Sequence, residues 1–184
     1  AGNSIGITRE GEAAGHPFHG VQITGRASAN IIGGDEPAAR NIISANKKFG
    51  VLIDGEAFDN LVTGNFIGSR NDGSFQEGLG NILGGIAISN AHGNSIGDET
   101  SVAGKPPGNT ILGNRGPGVQ ISGVNARENH VQGNDIARNR AEGVRVDADS
   151  GNTIQSNSIH ENDKAGVFVQ AGRNLLIKQN KIKF

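Results

Sequence analysis

Six times along the chain a glycine is followed by an apolar, variable, apolar triplet. The copies are Gly20-Val21-Gln22-Ile23, Gly50-Val51-Leu52-Ile53, Gly85-Ile86-Ala87-Ile88, Gly118-Val119-Gln120-Ile121, Gly143-Val144-Arg145-Val146 and Gly166-Val167-Phe168-Val169. Successive copies are 30, 35, 33, 25 and 23 residues apart. A second strand follows each copy, introduced by Asn30, Asn60, Asn94, Asn129, Asn152 and Asn174, with Ile32, Val62, Ile96, Val131, Ile154 and Leu176 two places on as inward residues. A third follows Asn41, Asn65, Asn109, Asn134, Asn157 and Asn180, with Ile43, Ile67, Ile111, Ile136, Ile159 and Ile182 inward. The two shortest spacings give the bare coil: Gly-V-x-V, turn, N-x-I-x-x-N, x-I-x-x-N, turn.

Strands of three or four residues are too short to stand as hairpins. Stacked in register on the same strand of the next coil, each pairs above and below at about 4.8 Å. The period of two sends the first and third residues of V-x-I inward and the middle one outward. Stacking then sets Val on Val, Ile on Ile and Asn on Asn. Asparagine tolerates the left-handed turn conformation, and its amide bonds its neighbour's along a ladder. The pattern predicts an all-β fold: a single-stranded right-handed parallel β-helix of about six three-strand coils, one domain over residues 1–184. Asn3-Ser4-Ile5 reads as a lone third strand before the first coil.

The longer spacings are insertions, at 6–19, 33–40, 69–84 and 97–108, all in the N-terminal two thirds. The outward residues there include Ile31, Ile42, Leu52, Leu61 and Phe66, whereas later ones are polar, such as Gln120, His130 and Arg145. The insertions are expected to fold back over this apolar side-wall.

Composition agrees with narrow stacked layers. Glycine is 30 of 184 residues, and Cys, Met, Trp and Tyr are absent, so the core must be aliphatic. A net charge of -1 gives no basic patch to neutralise phosphates, so nucleic acid is not an expected partner. No stretch approaches the ~20 apolar residues of a membrane-spanning helix. With no Cys there are no disulfides or thiolate metal sites. Ala1 is not an initiator Met, which points to a processed chain or a segment of a longer one.

Asn30-Ile31-Ile32-Gly33-Gly34 with Ala39-Arg40-Asn41-Ile42-Ile43-Ser44, and Gly64-Asn65-Phe66-Ile67-Gly68 with Gly78-Leu79-Gly80-Asn81, resemble segments of large exported bacterial right-handed parallel β-helix repeat proteins of the pectin-lyase-like superfamily. The resemblance covers nearly the whole chain. It implies the architecture and an extracellular or cell-surface bacterial setting. It leaves function open, because the superfamily mixes lyases, hydrolases, epimerases, adhesins and phage spikes.

Polysaccharide chemistry on such a scaffold needs paired carboxylates, or carboxylates holding Ca²⁺ beside a base. The first-strand columns bring only Arg145, Asp147 and Asp149 to one outward face, and the neighbouring coils offer Gln120/Ser122 and Phe168/Gln170. These three are the weak catalytic candidates, weighed against a solvated charge cluster. His16, His19, His92, His130 and His160 show no metal-ligand spacing and read as surface residues. Asn71-Asp72-Gly73 reads as an ordinary turn, with a Ca²⁺ loop fragment as the alternative. No cofactor is expected, and Ca²⁺ is the one ion left open.

The ends of the stack carry the functional expectation. Neither a capping helix nor a polar cap reads at either end, although repeat folds use caps and bare strand edges invite pairing. Ile5 at one end and Leu175, Leu176, Ile177, Ile182 and Phe184 at the other are the expected contact residues for head-to-tail association of the chain with itself. Lys181 and Lys183 weigh against it. The expected function is therefore a non-catalytic extracellular structural β-helix that stacks into a fibre. The alternatives are a polysaccharide-active enzyme or sugar-binding module, and a module of a large adhesin.

Overall fold

Parallel strands, numbered β1–β19 along the chain, wind around one axis in a computed structural model that describes residues 2–98, 103, 105 and 107–184. Of Asp149 and Ser150 it describes the backbone alone. The first-strand sheet holds β2 (Val21–Ile23), β5 (Phe49–Asp54), β8 (Gly84–Ser89), β11 (Val119–Gly123), β14 (Val144–Ser150) and β17 (Val167–Arg173). The second holds β3 (Ile31–Gly33), β6 (Leu61–Thr63), β9 (Ser95–Ile96), β12 (His130–Gln132), β15 (Thr153–Gln155) and β18 (Leu176–Lys178). The third holds β1 (Ser4–Ile5), β4 (Ile42–Ile43), β7 (Phe66–Ile67), β10 (Thr110–Leu112), β13 (Asp135–Ala137), β16 (Ser158–His160) and β19 (Lys181–Lys183). Each strand pairs only with the same strand of the coil above or below, so the described chain makes six coils and one extra third strand.

The registers stack the predicted columns. Ile43, Ile67, Ile111, Ile136 and Ile159 align in the third sheet and are fully buried. Val62, Ile96, Val131 and Ile154 do the same in the second. First-strand Val51, Ile86, Val119 and Val144 complete the interior with Ile53, Ile88, Ile121 and Val146. Fully burying each such side chain stabilises the fold by roughly 1.5–3 kcal/mol. First-sheet strands run to six or seven residues, longer than the triplet suggested.

Asparagine ladders bind coil to coil. In the third-strand ladder Asn3, Asn41, Asn65, Asn109, Asn134, Asn157 and Asn180 follow one another. The backbone N–H and Nδ2 of each donate to Oδ1 of the next at 2.9–3.2 Å. Asn30, Asn60, Asn94, Asn129 and Asn152 form a second ladder in the same direction. A third, of Asn46, Asn81, Asn114, Asn139 and Asn162, turns the corner before the first strand. Its members were legible only as the closing Asn of the bare-coil formula. The remaining Nδ2 hydrogen goes to a carbonyl of the preceding coil, as from Asn94 to Ala57 and from Asn134 to Ile96. Two donors and two acceptances use all the hydrogen-bonding capacity of a primary amide in this setting.

The left-handed residue is the one before the ladder asparagine, not the asparagine itself: Ala29, Asp59, Glu128, Arg138, Ser156, Glu161 and Gln179 all have φ of 53–57° or close to it. Asparagine Nδ2 also ties that turn by sharing one of its two hydrogens with the carbonyl two residues back, as from Asn60 to Phe58. Asn174 is the exception that corrects the sequence reading. It has φ 50° and stands in the turn, because Thr153 pairs with Leu176 and Ile154 with Ile177. Leu175 therefore takes the ladder place above Asn152, Ile177 points inward, and Leu176 joins the outward column.

The repeat glycines are set by space. A Cβ at Gly143 would lie 2.5 Å from Ile159 Cγ2, 2.6 Å from the Gly166 carbonyl oxygen and 3.0 Å from Asn162 Nδ2. Gly50, Gly85 and Gly118 meet the same trio of a third-strand Ile, the next coil's glycine carbonyl and a ladder amide. These glycines let the first strand enter the corner.

The insertions cover part of the outward apolar wall. Phe66 is 8% exposed, with the Arg40 guanidinium 3.9 Å above its ring and Gly73 packed against it. The 97–108 insertion, which lies partly outside the described residues, returns through Pro107, whose carbonyl accepts from Gly64 N–H and Thr63 Oγ1. Ile31 is not covered; it is 64% exposed.

Replacing Asn134 by Ala strands the N–H and Nδ2 of Asn109 and the Ile96 carbonyl. Denaturant unfolding should show a loss of about 3 kcal/mol or more, at ~1–3 kcal/mol for each buried group left unpaired. Asn30→Ala at the exposed end should cost under about 1 kcal/mol. Gly143→Ala should destabilise by about 1–3 kcal/mol through overpacking.

Candidate functional site

Of the three candidates on the first-strand face, the side chains of Arg145 and Asp147 are described. Arg145 lies between Gln120 and Phe168. Its Nη2 donates to Gln170 Oε1 at 2.7 Å and its guanidinium sits 5.5 Å from the Phe168 ring centre. Asp147 aligns with Ser122, but a register shift puts Ala171, not Gln170, on its other side. Asp147 opens onto a shallow groove with Val124 and Arg173. The side chain of Asp149 lies outside the described residues. Among the described residues no three His, Asp or Glu side chains gather as metal ligands. In the 69–84 insertion, Asp72 Oδ1 accepts from Ser74 N–H at 2.9 Å and from its hydroxyl at 2.6 Å, closing a turn. Those two bonds hold the Asp72 carboxyl below its ordinary range.

A cleft of about 240 Å³ lies where that insertion folds against the corner of the third ladder. Gly80 and Gly113 form its floor, and Phe75 roofs Gly113, where a Cβ would come within 2.9 Å of the ring. Arg115, Arg138 and Arg140 line it with Glu77, Glu161 and Asp163. Arg140 Nη2 meets Glu77 at 2.9 Å, joining the insertion to the coil. Arg138 Nε meets Glu161 Oε2 at 2.6 Å. Glu161 Oε1 is 3.4 Å from His160 Nδ1, and His160 Nε2 is 2.9 Å from Asp135 Oδ1. The spacing places Asp135 and His160 on neighbouring coils in different columns, and the registers agree, pairing Asp135 with Ser158 and Ala137 with His160. Their contact is a diagonal one, within reach of long side chains across adjacent strands. The two arginine–glutamate pairs are solvent-exposed and the His160–Asp135 contact is half-buried, and water screens the exposed ones. They latch the insertion and decorate the corner. Elsewhere His19 stacks on Phe49 with ring centres 5.9 Å apart. Burial and then Lys48 hold its imidazole below the ordinary value.

The ends of the stack are where the inward columns reach solvent. Val169, Ile177 and Ile182 are 42%, 45% and 46% exposed, although their columns are fully buried in the middle coils. Phe184 is fully exposed. Lys181 and Lys183 align with Ser158 and His160, on the outward side, and Ile182 with Ile159. At the other end Ile5, Val21 and Ile32 are only partly buried. No hydrogen bond from the described residues reaches Oδ1 of Asn3 or Asn30. Asn46 Oδ1 is buried and unpartnered. Lys47 N–H bonds the His16 carbonyl, which places His16 where an asparagine would donate to it.

Glu161 is held below the ordinary carboxylate range first by Arg138 and then by His160. A depressed carboxylate contributes stability above its unfolded value, about 4.3, and loses that contribution as pH falls through its folded value. Side-chain NMR titration should therefore show Glu161 titrating below that value, and Arg138→Gln should raise it.

A model of the family described as the right handed beta helix region matches residues 80–183. No curated protein matches the chain, and no solved structure does. The match spans more than half of the chain and coincides with three stacked parallel sheets; the chain belongs to the right-handed parallel β-helix family.

Proposed function

We propose that this chain is an extracellular structural β-helix that stacks end to end on copies of itself. The observation that carries the reading is the one-way repeat: each coil offers the next the same inward columns and the same row of asparagine donors and acceptors, so that a coil edge such as the one bearing Val169, Ile177 and Ile182 is a template for another coil. These residues occupy columns that each neighbouring coil covers elsewhere. The ladders supply direction. The N–H and second Nδ2 hydrogen of Asn180 face the open side of the last coil. Oδ1 of Asn3 and Asn30 face the open side of the first. Donors at one end and acceptors at the other favour head-to-tail contact, which does not close and so grows a filament. The resemblance of Asn30–Gly34 and Ala39–Ser44 to segments of exported bacterial β-helix proteins supports the extracellular setting. A polysaccharide-active reading draws less support, since Arg145 is engaged by Gln170 and Phe168.

Sedimentation velocity and negative-stain microscopy across a range of concentrations test the reading. Unbranched rods of constant width are expected. Ile177→Lys should abolish them while leaving the far-UV circular dichroism spectrum and melting curve of the monomer close to the original. Monodisperse monomers of the unaltered chain at high concentration would overturn the proposal.

A further inference from the structure

The corner that carries the third ladder holds a cation with no counter-charge. The residue after each ladder asparagine takes the same place in successive coils, since Arg115, Arg140 and Asp163 each donate their N–H to the carbonyl of the preceding ladder asparagine. Arg115 and Arg140 therefore stand one coil apart, about 4.8 Å. Like charges side by side on neighbouring strands destabilise each other. Arg140 is relieved by Glu77 at 2.9 Å. Arg138, on the other flank of the ladder, is relieved by Glu161 at 2.6 Å. Arg115 is exposed and has no carboxylate partner among the described residues. All three guanidinium groups line the cleft under the 69–84 insertion.

We propose that this cleft binds a small organic carboxylate with a flat apolar body, its carboxylate on Arg115 and its body against Phe75. The floor beside Arg115 leaves the room, because it is bare backbone. A Cβ at Gly80 would lie 2.0 Å from the Gly113 carbonyl oxygen, and one at Gly113 would lie 2.9 Å from the Phe75 ring. Phe75 packs over Gly113 and still has 42% of its surface exposed, so part of the ring stays wet at the cleft. A guanidinium presents two parallel N–H groups, which match the two oxygens of a carboxylate. A flat body beside Phe75 gains the offset or edge-on contact that aromatic pairs prefer. The volume, about 240 Å³, is smaller than the roughly 300–1,000 Å³ of drug-sized sites and suits a single ring. Glu161 and Asp163 line the other end of the cleft. Asp163 stands two coils from Arg115, about 10 Å. These two acids favour a ligand with one negative charge, and they repel a second carboxylate or a polyanion.

Benzoate is the probe, titrated into isotope-labelled protein at constant ionic strength and followed by NMR. The Gly80 and Gly113 amides and the Arg115 Nε–H should shift along one saturable curve. The Nε–H of Arg26, which lies on the corner between the first and second strands, should not move. Arg115→Gln should weaken binding about tenfold or more, the loss expected when a charge-assisted hydrogen bond is removed. Arg115 is exposed, so that variant should keep the melting curve of the unaltered chain. Phe75→Ala should weaken benzoate and leave acetate unaffected. Benzylamine, the same ring with a positive charge, should shift none of these signals, and phthalate, with a second carboxylate, should bind more weakly than benzoate. Equal affinity in Arg115→Gln, an equal response to benzylamine, or tighter binding of phthalate would overturn the proposal. Shifts that do not saturate, or that spread equally to Arg26, would overturn it too, since they mark a general salt effect. None of these readouts depends on end-to-end association.

Discussion

The structure depends on one constraint: each interior coil must present the same amide in the same place as the coil below it. A strand of two or three residues cannot hold itself, and the interior offers only thin layers of Val and Ile. The asparagine ladders supply the missing specificity. Because each Oδ1 accepts from both the backbone and the side chain of its neighbour, a one-residue slip would leave several buried polar groups unpaired at once. Register, turn conformation and coil spacing are thereby fixed together. The glycine corners follow from the same demand, since the first strand must pass close to a third-strand Ile and a ladder amide.

The ladder also gives the molecule a polarity. All three rows donate in the same direction along the axis, and a row of aligned amides ends in unused acceptors on one side and unused donors on the other. Hydrophobic columns by themselves are indifferent to direction and would accept a coil either way up. The amides are not indifferent, and they make head-to-tail contact the one that continues the pattern. The loops and ion pairs play a smaller part. The latch through Glu77 and Arg140 and the chain from Asp135 to Arg138 lie at the surface, where water screens them.

Much of this was legible from spacing. The six triplets, the two series of asparagines and the lone Asn3-Ser4-Ile5 strand gave the coils, the sheets and nearly every inward residue. What was missed has identifiable causes. Asn174 looks like a ladder member because asparagine suits both the ladder place and the left-handed place before it; only the register of Ile177 on Ile154 separates the two. The third ladder was harder to see because insertions separate Ile67 from Asn81 and hide the spacing that Ile136 and Asn139 keep. The contact between His160 and Asp135 is diagonal, so no column comparison brings it out. The Gln170 column fails for a different reason, a register shift within β14 and β17 that alternation does not encode. Ile31 shows the limit of inferring cover from apolarity, since the nearby insertion leaves it exposed.

Hydrogen exchange of the asparagine side-chain amides, followed by NMR, tests the ladder account most directly. If the amides hold the stack, the Nδ2 protons of Asn94, Asn129, Asn109 and Asn134 should exchange only on global unfolding, and those of Asn30 should exchange far faster. Interior amides that exchange as quickly as Asn30 while the backbone strands stay protected would contradict it, and would assign the stacking to the aliphatic columns alone.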